Sequence, residues 1–299
     1  MSIASQPVRR ACVFAHYDAR GNVADYVLYY LDALLAEVDQ LIVVSTAALD
    51  ESARQRLETR DLKLIVRENH GYDFYSYRAG IEQLDLDGFD ELVLCNDSVF
   101  GPFLSLASLF QRAQLKDAEL LGLTASVEVA FHLQSYFLVF RRGVFLNDDF
   151  QNFWRDLKPL NDKRRIIEEQ EVGLTQFFAS RGYRTAVLYD SDEADLGRRV
   201  FRSLGYYLGA LRRRMFEKEF WTTVFLVLRR KKRPGVNPTH ADWQYLLEDL
   251  EFPFVKIELL RDNPRQLKNV RDWPRIISGM GDYPLGLISD HLEHLQSVE

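Results

Sequence analysis

Between residues 11 and 95, short apolar runs rich in β-branched residues alternate with windows whose apolar positions recur near every 3.6 residues. That alternation predicts a parallel sheet with crossover helices. Ala11 to Ala15, Leu41 to Ser45 and Leu62 to Arg67 read as strands. Asn22 to Glu37 reads as a helix, its stripe formed by Val23, Tyr26, Val27, Tyr30, Leu31, Leu34 and Leu35. Leu49 to Glu58 and Phe74 to Leu84 are further helices, and Glu91 to Cys95 is a nearly continuous apolar strand, the mark of a sheet position covered on both faces. Then come a helix near Leu104 to Gln114, strands at Leu120 to Ala125 and Ser135 to Phe140, and helices at Phe150 to Trp154 and Glu169 to Arg181, the last stopped by Gly182. Thr185 to Tyr189 is the final strand before an acidic loop, Asp190 to Asp195. Beyond it the alternation stops, and two or three helices are expected around a break at Pro234-Gly235. The pattern predicts an α/β domain over residues 1–195, a mostly parallel Rossmann-like sheet flanked by helices, and a mainly helical region over 196–299.

With 299 residues, 47% of them hydrophobic, the chain can bury a full core and still carry an appendage. Met1 to Gln6 lack the basic start and apolar run of a secretory signal, and no stretch reaches the roughly 20 apolar residues that cross a bilayer. The expectation is a cytoplasmic protein. Cys12 and Cys95 both fall in apolar strands and have no Cys or His at metal spacing, so they read as reduced core thiols.

The net charge of −6 hides an asymmetry: residues 198–233 hold 12 Lys/Arg against 2 Glu, a local +10, which leaves −16 for the remainder. Cationic clusters there alternate with Phe220-Trp221 and Val224 to Leu228, a composition suited to lying on anionic lipid. A nucleic-acid role is disfavoured by the acidic remainder and by the lack of a base-reading motif.

Open α/β sheets bind ligands outside the carboxyl ends of their strands, so polar residues at those ends are the candidates for chemistry. Ala15-His16-Tyr17-Asp18 follows the first strand and could hold a nucleotide base against an aromatic ring. After the third strand, Asn69 and Gly71 suit a tight turn that brings backbone close to a ligand, Asp73 could bond a ribose or base, and Arg78 a phosphate. Asn96-Asp97-Ser98 ends the fourth strand, with Asp97 its one carboxylate for a hard cation. His132, Gln134 and Ser135 could bond sugar hydroxyls. Glu171 directly precedes Val172-Gly173-Leu174-Thr175 within an acidic run that otherwise suits the first turn of a helix.

In this order, Ala-His-Tyr-Asp, Glu-Asn-His-Gly-Tyr-Asp-Phe, Asn-Asp-Ser-Val-Phe-Gly-Pro, His-Leu-Gln-Ser-Tyr-Phe and Glu-Val-Gly-Leu-Thr resemble the rhamnan synthesis protein F family. So do Asn237-Pro238-Thr239-His240 with Trp243, Pro253 to Lys256, and Arg261-Asp262-Asn263-Pro264; the resemblance runs from about residue 11 to 290. It implies a GT-A-like glycosyltransferase of O-antigen or other cell-envelope polysaccharide synthesis. Such an enzyme passes a sugar, rhamnose from a dTDP-rhamnose donor as the leading guess, to a polysaccharide or lipid-linked glycan at the inner face of the cytoplasmic membrane.

By the same analogy Glu171 is the general base of an inverting displacement, with His132 beside it in the catalytic set. Residues 15 to 18, Asn69, Gly71, Asp73, Arg78 and Asn96 to Ser98 bind the nucleotide sugar, and Gln134 and Ser135 the sugar or acceptor. GT-A enzymes usually carry Asp-x-Asp where this chain has Asn96-Asp97-Ser98, so a Mn or Mg ion on Asp97 is an open expectation. Two rival readings remain, a sugar-phosphate transferase and a glycosyltransferase-like module that has lost catalysis.

Overall fold

The computed structural model describes residues 7–46, 48–160, 162–192, 196–203 and 237–297. Seven strands form the central sheet: β1 (Arg10–His16), β2 (Gln40–Ser45), β3 (Lys63–Val66), β4 (Glu91–Asn96), β6 (Leu120–Gly122), β9 (Phe137–Arg141) and β10 (Thr185–Val187), in the order β10-β6-β9-β4-β1-β2-β3. Its helices are α1 (Asp25–Leu35), α2 (Glu51–Glu58), α3 (Tyr72–Ile81), α4 (Leu106–Gln114), α5 (Arg142–Phe145), α6 (Asp148–Arg155), α7 (Lys163–Arg165), α8 (Val172–Ser180) and α9 (Leu196–Arg202). A turn of π-helix, Ile166–Glu171, leads into α8. Four further strands pair off the main sheet: β5 (Val99–Phe100) with β11 (Val255–Lys256), and β7 (Ala125–Ser126) with β8 (His132–Leu133).

The α/β expectation holds: β1, β2, β3 and β4 are mutually parallel, as are β6 and β10. The one reversal is β9, antiparallel to both β4 and β6. Every residue of β4 and all but the first of β1 are buried, which is why both read as apolar runs without alternation. One face of the sheet packs against α1, α4 and the C-terminal helices through Phe14, Tyr30, Leu31, Phe110, Leu246 and Phe254. The other packs against α3, α6 and α8 through Val13, Phe74, Phe140, Phe150, Trp154 and Phe178.

One close approach sets the position of α3. A Cβ at Gly80 would stand 2.3 Å from Val13 Cγ1, so the absent side chain lets the helix lie directly on β1. At the opposite end of the sheet the carboxylate of Glu91, itself 1% exposed, pairs with Arg10 at 2.6 Å and with Arg141, and accepts from Gln114 Nε2 at 3.1 Å. This cluster ties three strands and α4 together where the sheet begins.

The C-terminal residues add the helices Pro238–Ala241, Trp243–Leu250, Ile257–Asp262, Trp273–Ser278 and Gly286–Gln296, helical as expected but with more and shorter helices than the two or three read from the sequence. They join the first half in a shared apolar cluster, and β11 pairs Lys256 with Val99 and Val255 with Phe100. Cys12 and Cys95 are fully buried free thiols with their Sγ atoms 3.6 Å apart. Most of the basic stretch 198–233, and the Pro234-Gly235 break, lie outside the described residues. Within its described part, Arg199 is buried and paired with Asp192, and Arg202 with Glu248 and Asp249. Those two arginines are therefore spent on internal pairs. Among the described residues no helix is long and apolar enough to cross a membrane.

Candidate active site

A cleft of about 530 Å³ opens at the carboxyl ends of β1 and β4 and is closed on its far side by β11 and the C-terminal helix. The residues flagged at these strand ends converge on it. His16, Tyr17, Asp18, Asp73, Asn96, Asp97, Ser98, His132, Gln134, Ser135 and Glu171 all contribute to its wall.

Each is held by identifiable bonds. His16 is buried and bonded through Nδ1 to Ser45 Oγ at 3.0 Å; burial pushes its imidazole down to about 4, so it is neutral at physiological pH. Tyr17 is half exposed at the rim, and its backbone N–H donates to Asp97 Oδ2 at 2.8 Å. Asp18 accepts from the backbone N–H groups of Arg20 and Asn22, which closes the turn after β1. Tyr26 of α1 donates its hydroxyl to the Asp97 carbonyl at 3.0 Å.

A directed chain of side chains crosses the cleft floor. Lys256 Nζ donates to Ser98 Oγ at 3.1 Å, the Ser98 hydroxyl donates to Asn96 Oδ1 at 2.6 Å, and Asn96 Nδ2 donates to Asp73 Oδ2 at 2.7 Å. Asn96 Oδ1 also takes the Ser98 backbone N–H at 3.1 Å. Burial pushes the Asp73 carboxyl up, while the Asn96 bond and the Lys256 charge oppose the rise. Burial, followed by the charge of Asp73, pushes Asp97 up to about 8.

Glu171 ends the π-helical turn and enters the cleft from the side of α8. Its Oε1 takes both the backbone N–H of Ser135, at 2.9 Å, and the Ser135 hydroxyl, at 2.5 Å. Its Oε2 stands 3.9 Å from Nε2 of His132, whose Nδ1 lies 2.9 Å from the Ala130 carbonyl. With Nδ1 donating to that carbonyl, Nε2 is the ring atom turned toward the carboxylate. Gln134 bonds Thr124 Oγ1 through Oε1 at 2.7 Å and reaches Asn237 Oδ1 through Nε2 at 3.4 Å.

Four flagged residues stand apart from the cleft wall. Ala15 is buried in the strand core. Asn69 and Gly71 shape the turn before α3, Gly71 in the left-handed region at φ 71°. Arg78 pairs with Glu82 and lines a separate shallow depression with Asp85 and Asp87. The guanidinium that organises the turn is Arg67, which binds the carbonyls of Glu68, His70 and Tyr72 and the Ser76 hydroxyl and so fixes the start of α3, where Asp73 sits.

A divalent ion requires about six oxygen ligands. At the end of β4 the Asn96 oxygen is taken up by Ser98, Asp97 Oδ2 by Tyr17, and the ammonium of Lys256 stands beside them. Among the described residues no three His, Cys, Asp or Glu side chains converge to hold an ion. The protein itself thus offers a divalent ion few oxygens at the β4 end, and the rest of its ligands would have to come from the donor's phosphates and water.

The sequence reading passed over Lys256 and Tyr26, both of which meet the β4 end, and the helix Gly286–Gln296, which brings His291 and His294 to the cleft. Lys256 had a signal in the Pro253 to Lys256 motif. The other three carry none, because each is a residue of an ordinary amphipathic helix.

The polar cleft lies at the carboxyl ends of a mostly parallel sheet, the place where open α/β folds receive their ligands. Residues 41–214 match the model of rhamnan synthesis protein F, and the chain belongs to that family. It is 32% identical over 228 residues to the virulence protein VirA of Vibrio anguillarum, an alignment spanning 73% of this chain and 69% of VirA. It is 30% identical over 237 residues to the uncharacterized protein y4gN of Sinorhizobium fredii, covering 75% of this chain and 60% of y4gN. Among solved structures, the 4-diphosphocytidyl-2C-methyl-D-erythritol synthase of Anaerococcus prevotii superposes over 60% of this chain and 86% of its own, at 13% identity and a TM-score of 0.40.

Proposed function

We propose that this chain is a glycosyltransferase that binds a nucleotide-diphosphate sugar in the cleft and passes the sugar, with inversion, to a glycan hydroxyl. Family membership supports the reaction class, and the observation that carries the mechanism is Glu171, whose Oε1 is pinned by two Ser135 donors while Oε2 remains for a proton. The acceptor oxygen attacks the anomeric carbon and its proton passes to Glu171 Oε2. The bond from that carbon to the donor's β-phosphate oxygen breaks, and its electron pair leaves with the nucleoside diphosphate. His132 stands beside the carboxylate, with Nε2 3.9 Å from Oε2. The wall from His16 to Asp18, with Asp73 and the β4 end, receives the nucleotide and donor sugar; Gln134 and Ser135 face the acceptor side. Rhamnose on thymidine diphosphate is the donor proposed from the family, and a polysaccharide or lipid-linked glycan is the acceptor. Residues 1–195 would supply most of the nucleotide-sugar site, and 196–299 the acceptor or membrane-surface contact together with one wall of the cleft. The location proposed is cytoplasmic, at the inner face of the membrane.

The test is thermal unfolding of the purified protein with a panel of nucleoside diphosphates and their sugar conjugates, since selective binding raises stability by mass action. One diphosphate is expected to raise the midpoint selectively. Glu171→Gln, which can still accept both Ser135 donors, should keep that rise and lose transfer by about 10²- to 10⁴-fold. A folded protein stabilised by none of the panel would refute the reading in favour of a module without catalysis.

A further inference from the structure

We propose that the positive charge meeting the donor's diphosphate is the ammonium of Lys256, supplied by the C-terminal part of the chain, and that donor binding proceeds without a divalent cation; this rests on reading the cleft as the nucleotide-sugar site.

The backbone fixes the lysine's place. Lys256 is the second residue of β11 and is paired with Val99 of β5, which directly follows Asn96-Asp97-Ser98. The Ile257 backbone N–H donates to the Ser98 carbonyl at 3.1 Å, so the strand is tied on both sides of the lysine to the end of β4. From there Nζ reaches Ser98 Oγ at 3.1 Å and lies 3.9 Å from the centroid of the buried Tyr136 ring. An ammonium above an aromatic face is attracted to it and confined by it. The side chain is therefore directed into the cleft rather than left to sweep through solvent.

The neighbouring groups suit an ammonium better than a metal. At position 96 an amide stands in place of a second acid, its oxygen already shared by the Ser98 N–H and hydroxyl, and the nearby Asp73 has Oδ2 taken by the same amide. The amide's NH2 end faces Asp73, which would repel a donor phosphate were it not for the lysine charge at the other end of the chain. Arg78, the phosphate candidate read from the sequence, is paired with Glu82 outside the cleft. When the anomeric bond breaks, the β-phosphate oxygen gains the bonding pair and a unit of charge. A fixed ammonium in a sheltered cleft stabilises that charge without reorganising.

The experiment is calorimetric titration of the protein with dTDP, UDP, thymidine and uridine, each in EDTA and again with Mg or Mn, for wild type, Lys256→Met and Lys256→Arg. Wild type is expected to bind the preferred diphosphate equally well in EDTA and in metal. Lys256→Met should weaken the diphosphate on the order of 10- to 100-fold, the effect of losing a charge-assisted bond, while leaving the matching nucleoside unchanged. Lys256→Arg, which keeps the charge, should recover much of the loss and guards against a folding defect in the methionine variant. Diphosphate binding that vanishes in EDTA and returns with metal would overturn the proposal while leaving the transferase reading intact. So would unchanged binding in Lys256→Met. A wild type that binds no nucleotide in either condition would overturn both together.

Discussion

Gly80→Ala tests the contact that seats α3 on the sheet. The added methyl would lie 2.3 Å from Val13 Cγ1 and 2.9 Å from Cγ2, well inside van der Waals contact. Val13 cannot yield easily: it is fully buried, and β1 is bonded on one side to β2 and on the other to β4. Alanine should gain about 1 kcal/mol in helix preference over glycine. Overpacking a filled core costs about 1–3 kcal/mol, and a contact this short against a β-branched side chain belongs at the upper end. The expected net is a loss of about 2 kcal/mol, read as the urea midpoint at unchanged slope. Val13→Ala alone should lose about 2 kcal/mol of burial. In the double variant the new methyl fills the space left by valine, so the pair should be less destabilised than the sum by about 1–2 kcal/mol. A Gly80→Ala protein as stable as wild type, or strict additivity in the double variant, would refute the packing account.

Two further variants probe charges at opposite ends of the sheet. Glu91→Ala strands the half-buried guanidinium groups of Arg10 and Arg141, whose charged forms burial already disfavours, and should lose about 3–5 kcal/mol in urea unfolding; a change near zero would show that water replaces the carboxylate there. Asp97 is raised from the usual carboxylate range up to about 8, so its contribution to stability is present below the unfolded value and lost as pH rises through about 8. Asp97→Asn should therefore flatten the decline in stability between about pH 5 and about pH 8.5, and an unaltered slope would show that another group sets it.

Much of this fold was legible because buried parallel strands and amphipathic helices leave strong periodic signals, as in Ala11 to Ala15, Glu91 to Cys95 and the α1 stripe. Direction was not legible: Phe137–Arg141 is a buried apolar run, and such a run reads the same whether it lies parallel or antiparallel to β4. Neither were β5 and β11, which have two residues each and lie more than 150 positions apart, too short for any period to show. His16, Asp18, Asn96 and Asp97 meet at one cleft because the sheet delivers whatever follows a strand to the same rim. Arg78 lies off the cleft wall for a geometric reason. It lies five residues beyond Asp73 on one helix, a rotation of about 140° at 3.6 residues per turn, so the two side chains cannot both face the cleft. Arg78 accordingly turns away from Asp73 and pairs with Glu82.

The hydrogen bonds from Lys256 through Ser98 and Asn96 to Asp73 all run in one sense, each group receiving from the cationic side and giving toward the anionic side. The end charges thus form a salt bridge held at arm's length, with a hydroxyl and an amide as its spacers. Such an arrangement has a built-in orientation: the amide has only one rotamer state that serves both neighbours, and reversing it would set oxygen against carboxylate. A phosphate drawing on the lysine would therefore be felt at an aspartate it does not touch, and the state of that aspartate would in turn be felt at the phosphate.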